Sequence, residues 1–264
     1  MRYVRGAVGA LAAVVAVLAS TTASASATDS AVHYTALGDS YSSGTGTRDY
    51  DPPTGACMRS PQAYPELFAR SHEVDRFTFA ACAGATTDDV VDKQLGALDA
   101  NTTLVTLTVG GNDIGFAGVI RRCVLGDDST CDRAVDGGEA KLRDELPGKL
   151  DKAFAAIADK APNARVVVLG YPRLNEAGPC DIPGYTEAKR ARINEGSDEL
   201  AHVIADHARS AGFDYADARD RFAGHGICGT DPWINGPTLP FSESFHPNTD
   251  GQAHGYLPVL DRAT

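Results

Sequence analysis

Ser40, His246, Asn112 and Gly84 are the residues whose types and settings could work together on a carbonyl group. Ser40 stands in Gly38-Asp39-Ser40-Tyr41-Ser42-Ser43-Gly44. A free hydroxyl is a poor nucleophile at neutral pH and needs a base. Of the seven histidines, His246 is the best placed, in Ser242-Glu243-Ser244-Phe245-His246-Pro247-Asn248. Pro247 biases it away from helix and toward a loop that can hold a side chain over a cleft. His202 and His207 fall in a helical stretch, His33 beside a strand and His225 between glycines, while His72 and His254 have no motif around them. Asn112 follows Gly110 and Gly111, which let backbone approach a ligand closely. Its amide, with the N–H groups of Gly84 and Ser40, could surround a developing oxyanion, as acyl transfer requires. Each piece also has an ordinary reading, since Gly-Asp-Ser and Gly-Gly-Asn-Asp are both common turn sequences.

The elements around these residues give them a common edge. Ala31 to Leu37, rich in β-branched and aromatic residues, reads as a buried strand that ends at the Ser40 turn. Further strands are expected at 76–80, 103–109, 165–170 and 213–217. Helices are expected from Pro61 to Ser71, from the Thr86 region to Asp99, from Glu139 to Lys160 with an interruption near Pro147, and from Tyr185 to Ala211; a short helix closes the chain. Residues 114–138 read as a long irregular excursion, and a second long loop spans 218–245. Strands alternating with helices indicate parallel βαβ units in a three-layer αβα sandwich, with a mostly parallel five-stranded sheet. In such sheets ligands bind at the carboxyl ends of the strands, where Ser40, the Gly84 turn and Asn112 would meet.

The first 27 residues carry Arg2 and Arg5, an Ala/Val/Leu core and a small-residue stretch ending Ala25-Ser26-Ala27. This is the pattern of a secretory signal peptide. Its apolar run is short of the ~20 residues a membrane span needs. Residues 28–264 are then expected to be one domain, exported and soluble, with no stable membrane insertion. Without the leader, 22 basic residues face 35 acidic ones, a net charge near −13. That balance argues against nucleic acid and anionic membranes as partners. Cys57, Cys82, Cys123, Cys131, Cys180 and Cys228 make an even count in an exported chain, which implies three disulfides with the connectivity left open. A zinc site is the weaker reading, because no C-x-x-C pair or H-x₃-H partner is present.

Taken in order, these blocks resemble the SGNH or GDSL hydrolases, a flavodoxin-like family. Gly38-Asp39-Ser40 looks like the first block, Gly84 falls in the second, Gly110-Gly111-Asn112-Asp113 in the third and Ser244-Phe245-His246-Pro247 in the last. The resemblance implies Ser40 as nucleophile, His246 as base, and Ser40, Gly84 and Asn112 as oxyanion donors. It is strongest to secreted bacterial GDSL lipases, esterases and phospholipases A1 with three disulfides. It therefore implies Cys57–Cys82, Cys123–Cys131 and Cys180–Cys228. Most members have Asp three residues before the histidine, where this chain has Glu243. Either the Glu243 carboxylate or, as in some secreted relatives, a backbone carbonyl such as that of Ser244 would orient His246.

The resulting expectation is a secreted, monomeric carboxylic ester hydrolase acting through an acyl-enzyme on a small-molecule or lipid ester, with no metal or organic cofactor. Ser42 occupies the last position of G-x-S-x-G, so the nucleophile elbow of α/β-hydrolases is not present. Rival expectations are a polysaccharide deacetylase on the same fold and a non-catalytic ligand-binding protein. Trp233, Leu239 and Phe241 either line an acyl groove or pack the last loop onto the domain.

Overall fold

The computed structural model describes residues 1–3, 6 and 31–264. The leader expected over residues 1–27 lies outside the described residues, apart from 1–3 and 6, as does the boundary at residue 28. Five strands, β1 (His33–Ala36), β2 (Arg76–Phe79), β3 (Leu104–Leu107), β4 (Arg165–Leu169) and β5 (Asp214–Ala216), form one sheet. All neighbours are parallel, in the order β2-β1-β3-β4-β5. A parallel sheet is covered on both faces, so its central strands must be apolar throughout. β3 is buried along its whole length, and β4 from Val166 to Leu169. The chain leaves β1 for β2 on one side and returns past it to β3. The switch in direction therefore falls at the carboxyl end of β1, the place where open α/β sheets bind ligands.

Helices α1 (Ser40–Ser43) and α2 (Tyr64–Ser71) follow β1, and α3 (Thr87–Asp89) follows β2, continuing as a π-helical turn over Val90–Gln94. Helices α4 (Phe116–Leu125), α5 (Asp128–Asp144) and α6 (Leu146–Lys160) lie between β3 and β4, α7 (Glu187–Ser210) between β4 and β5, and α8 (Leu257–Ala263) after β5. α2 and α8 pack together and against the sheet, while α3, α5, α6 and α7 pack into a second layer. Fully buried Tyr34, Leu107, Phe154, Leu169 and Phe222 mark the core between them.

Residues 114–138 are not an irregular excursion. They form α4 and most of α5, with a short turn at Gly126 and Asp127. Asp127 caps α5 by accepting from the Thr130 N–H at 2.8 Å. Five glycines between 115 and 138 lower the local helix propensity. The helices form because they pack on each other and α5 packs on α7. The Cys123–Cys131 bridge also joins their facing ends. The break near Pro147 is real: Pro147 sits in the first turn of α6, where its missing N–H costs nothing.

Candidate active site

The turn after β1 is fixed before any substrate arrives. Asp39 caps the short helix α1 by accepting from Tyr41 N–H at 3.0 Å, leaving Ser40 as its first residue. Gly38 has φ +111°, and a β-carbon there would lie 2.5 Å from the Thr108 carbonyl oxygen, so only glycine fits. Gln94, buried at the end of the π-helical turn, holds the same residue from both sides. It accepts from Gly38 N–H at 2.8 Å and donates to Gly38 O at 2.9 Å. Asp39 is fully buried and also accepts from Thr108 Oγ1 at 2.6 Å and from the Tyr171 hydroxyl. Burial pushes its carboxyl up to about 6, against the opposing effect of these hydrogen bonds. Tyr171 Oη in turn accepts from Gly111 N–H at 3.2 Å, tying the first turn to the one that carries Asn112.

His246 comes from the other end of the sequence, on the loop before α8. Its Nε2 lies 2.8 Å from Ser40 Oγ, and its Nδ1 lies 2.9 Å from the Ser244 carbonyl oxygen. A carbonyl can only accept, so Nδ1 carries the proton and Nε2 presents its lone pair to the serine hydroxyl. Burial holds the imidazole down to about 4, with the Ser244 carbonyl pulling weakly the other way. The Glu243 carboxylate does not meet the ring. This buried carboxylate accepts from Tyr50 Oη at 2.9 Å and pairs with Arg48 Nε at 3.1 Å. The longer side chain reaches across to the 48–50 segment instead of back to the ring. Tyr41 Oη donates to Phe245 O at 2.7 Å, clamping helix α1 to the histidine loop. Phe245 has φ +60°, a left-handed conformation that is costly for a bulky residue and is held by the buried ring and this clamp.

The turn after β2 brings Gly84 to the same edge. Cys82 N–H donates to Gly38 O at 3.0 Å, and Ala83 N–H donates to Cys57 O at 3.0 Å across the Cys57–Cys82 bridge. Among the described residues, the N–H groups of Ser40 and Gly84 have no protein acceptor. Asn112 donates one amide hydrogen to Ala85 O at 3.0 Å, leaving the second uncommitted. Asp113 beside it accepts from Thr87 Oγ1 at 2.7 Å and Thr87 N–H at 3.0 Å, locking the second and third turns together. The other bridges are Cys123–Cys131 and Cys180–Cys228, the three pairs being those the resemblance implied.

Tyr41 and Gly111, the neighbours of Ser40 and Asn112, line one end of an apolar cavity of about 50 Å³ between α4, α5 and α7. Ile114, Leu142, Ile193 and Leu200 line it further in. Trp233 does not take part: it is buried and stacks on His225 at 3.5 Å, packing its loop. Leu239 and Phe241 are exposed and outside the cavity wall. Sequence reasoning did not single out Gln94, Tyr50, Tyr171 or the positioning hydroxyl of Tyr41. A polar Gln94 four residues after buried Val90, on the apolar face of its helix, was the one available signal. Among the described residues, no group of three or more His, Cys, Asp and Glu is disposed to hold a metal ion.

The GDSL-like lipase/acylhydrolase family model matches residues 36–254. Lipase 1 of Streptomyces coelicolor is 46% identical over 254 residues, covering 96% of this chain and 94% of that protein. The crystal structure of an extracellular lipase from Streptomyces rimosus superposes with a TM-score of 0.86 at 46% identity, covering 89% of this chain and all of that one. That of phospholipase A1 from Streptomyces albidoflavus gives a TM-score of 0.86 at 44% identity with the same coverage. Family model, relatives and sheet order agree, and the chain belongs to the GDSL-like lipase/acylhydrolase family.

Proposed function

We propose that this protein is a secreted serine carboxylic ester hydrolase that cleaves lipid-like esters through an acyl-enzyme. The observation that carries the reading is Ser40 Oγ at 2.8 Å from a histidine nitrogen whose partner nitrogen is fixed by a carbonyl. Nε2 of His246 takes the hydroxyl proton as Ser40 Oγ attacks the ester carbonyl. The N–H groups of Ser40 and Gly84 and the free Asn112 hydrogen receive the oxyanion. The imidazolium then protonates the departing alkoxide, leaving the acyl group on Ser40. Water attacks this acyl-enzyme with His246 again as base, releasing the acid and restoring the hydroxyl.

The apolar lining beside Tyr41 and Gly111 would give the acyl part of a lipid ester apolar contacts, which favours lipid esters over acetylated polysaccharide. The similarity to a lipase and a phospholipase A1 of Streptomyces supports the same substrate class, and a signal-peptide pattern supports export. Ser40→Ala is expected to abolish hydrolysis of p-nitrophenyl esters and phosphatidylcholine while the melting temperature stays nearly unchanged. Substantial turnover by that variant in a clean preparation would reject the reading, and a rate highest on acetyl esters would redirect it to deacetylation.

A further inference from the structure

From residue 31 onward, three large apolar side chains stand exposed: Leu125 at 73%, Leu239 at 86% and Phe241 at 44%. Contacts through one intervening segment join their two loops. Lys189 Nζ donates to Gly126 O at 2.5 Å and to Gly184 O at 2.7 Å, fastening the end of α4 to the 182–184 segment. That segment carries half-buried Ile182 and exposed Pro183. A β-carbon built at Gly236 would meet Ile182 Cδ1 at 3.7 Å, and Gly236 opens the loop that holds Leu239 and Phe241.

This loop is held in place. Ser244 Oγ accepts from Thr238 N–H at 2.9 Å and donates to Thr238 O at 3.2 Å, and Arg48 Nη2 donates to Thr238 Oγ1 at 2.6 Å. Ser244 is the residue whose carbonyl meets His246 Nδ1, so the backbone of the loop that bears the two exposed side chains lies beside the site. Large apolar side chains grouped in water beside a site are a mark of a contact surface. Charges of both signs surround the rim: Arg48, Arg121 and Arg122 against Asp127, Asp128 and Asp181, all exposed, on a chain of net charge −11. An anionic surface would be repelled by the whole molecule, whereas a headgroup carrying both charges finds partners for each.

We propose that Leu239 and Phe241, continued by Pro183 and Leu125, dock the protein onto a zwitterionic, phosphatidylcholine-type lipid–water interface and hold the Ser40 cleft against aggregated substrate. The proposal rests on the ester-hydrolase reading, and adsorption is shallow and reversible, since no helix among the described residues is long and apolar enough to cross a membrane.

The test begins without turnover. Ser40→Ala protein, with and without Leu239→Ser and Phe241→Ser, is sedimented with phosphatidylcholine and with phosphatidylglycerol vesicles. The single variant should bind phosphatidylcholine in preference, and the added pair should weaken binding by about tenfold or more, because burying each side chain contributes substantially. With Ser40 intact, the Leu239→Ser/Phe241→Ser protein should hydrolyse soluble p-nitrophenyl butyrate within about twofold of wild type and phosphatidylcholine vesicles at least about tenfold more slowly. Vesicle binding that is absent, unchanged by the pair, or stronger on phosphatidylglycerol would overturn the docking surface. Failure of the wild-type protein on every ester would instead sink the hydrolase reading, with the binding measurement still deciding the docking.

Discussion

At the scale of single residues, Asn112 has one amide hydrogen committed to Ala85 O and one free. The committed one fixes the side chain and the free one is available to the oxyanion. Asn112→Ala should therefore lower kcat by roughly 10²-fold with little change in KM, because the donor acts on the transition state. A change confined to KM in steady-state kinetics would make it a binding residue instead. Glu243 leads to the opposite expectation. Its carboxylate meets Tyr50 and a largely exposed Arg48, so Glu243→Gln keeps an acceptor for the tyrosine and loses an ion pair of modest worth. Its kcat should fall by less than about tenfold, whereas a missing carboxylate partner in a true triad costs about 10⁴-fold. The acid limb of kcat/KM should lie below the ordinary histidine value of about 6.5, toward the value of about 4 that burial imposes on His246. A limb at or above 6.5 would contradict that enclosure.

Among the turns that carry the site, the one after β2 is held by a covalent tie. Cys57–Cys82 and the Cys82-to-Gly38 hydrogen bond set where Gly84 points. Replacing both cysteines by serine should cost about 2–4 kcal/mol of stability and also reduce kcat by about tenfold. The same change at Cys180 and Cys228 should cost stability alone. Equal kcat losses in the two double variants, compared at a temperature where both are folded, would show that the first bridge has no special bearing on the site. The strands and the Ser40, Gly84 and Asn112 turns were legible in the sequence because β-branched runs ending in glycine obey local rules. Helices α4 and α5 were not, since their glycines weaken the local pattern and packing against α7 supplies what propensity lacks. The roles of Gln94 and Tyr171 were hidden for a related reason. Their partners, Gly38 and Asp39, lie 56 and 132 positions away, and nothing local announces such a pairing.

Across the whole molecule, buried Asp39 and partly buried His246 oppose each other on acidification. Asp39, raised to about 6, takes up its proton more readily in the fold than in the unfolded chain, so lowering the pH from 6 toward its ordinary value of 3.8 stabilises. His246, held down to about 4, resists its proton in the fold, so lowering the pH from 6.5 toward 4 destabilises. Each effect is on the order of 3 kcal/mol, and the two have opposite signs. Asp39→Asn should therefore lose stability relative to wild type between pH 6.5 and 4, and His246→Ala should gain it. Parallel denaturant midpoints for all three proteins across that range would refute the opposition. The 206 residues that separate Ser40 from His246 have a consequence for the cell that makes the enzyme. On the proposed mechanism, a growing chain holds its nucleophile from the first strand but has no base until its last loop is synthesised and folded against that strand. An unfinished or incompletely folded chain is thus unarmed, and the producing cell's own lipids are spared by the order of the sequence.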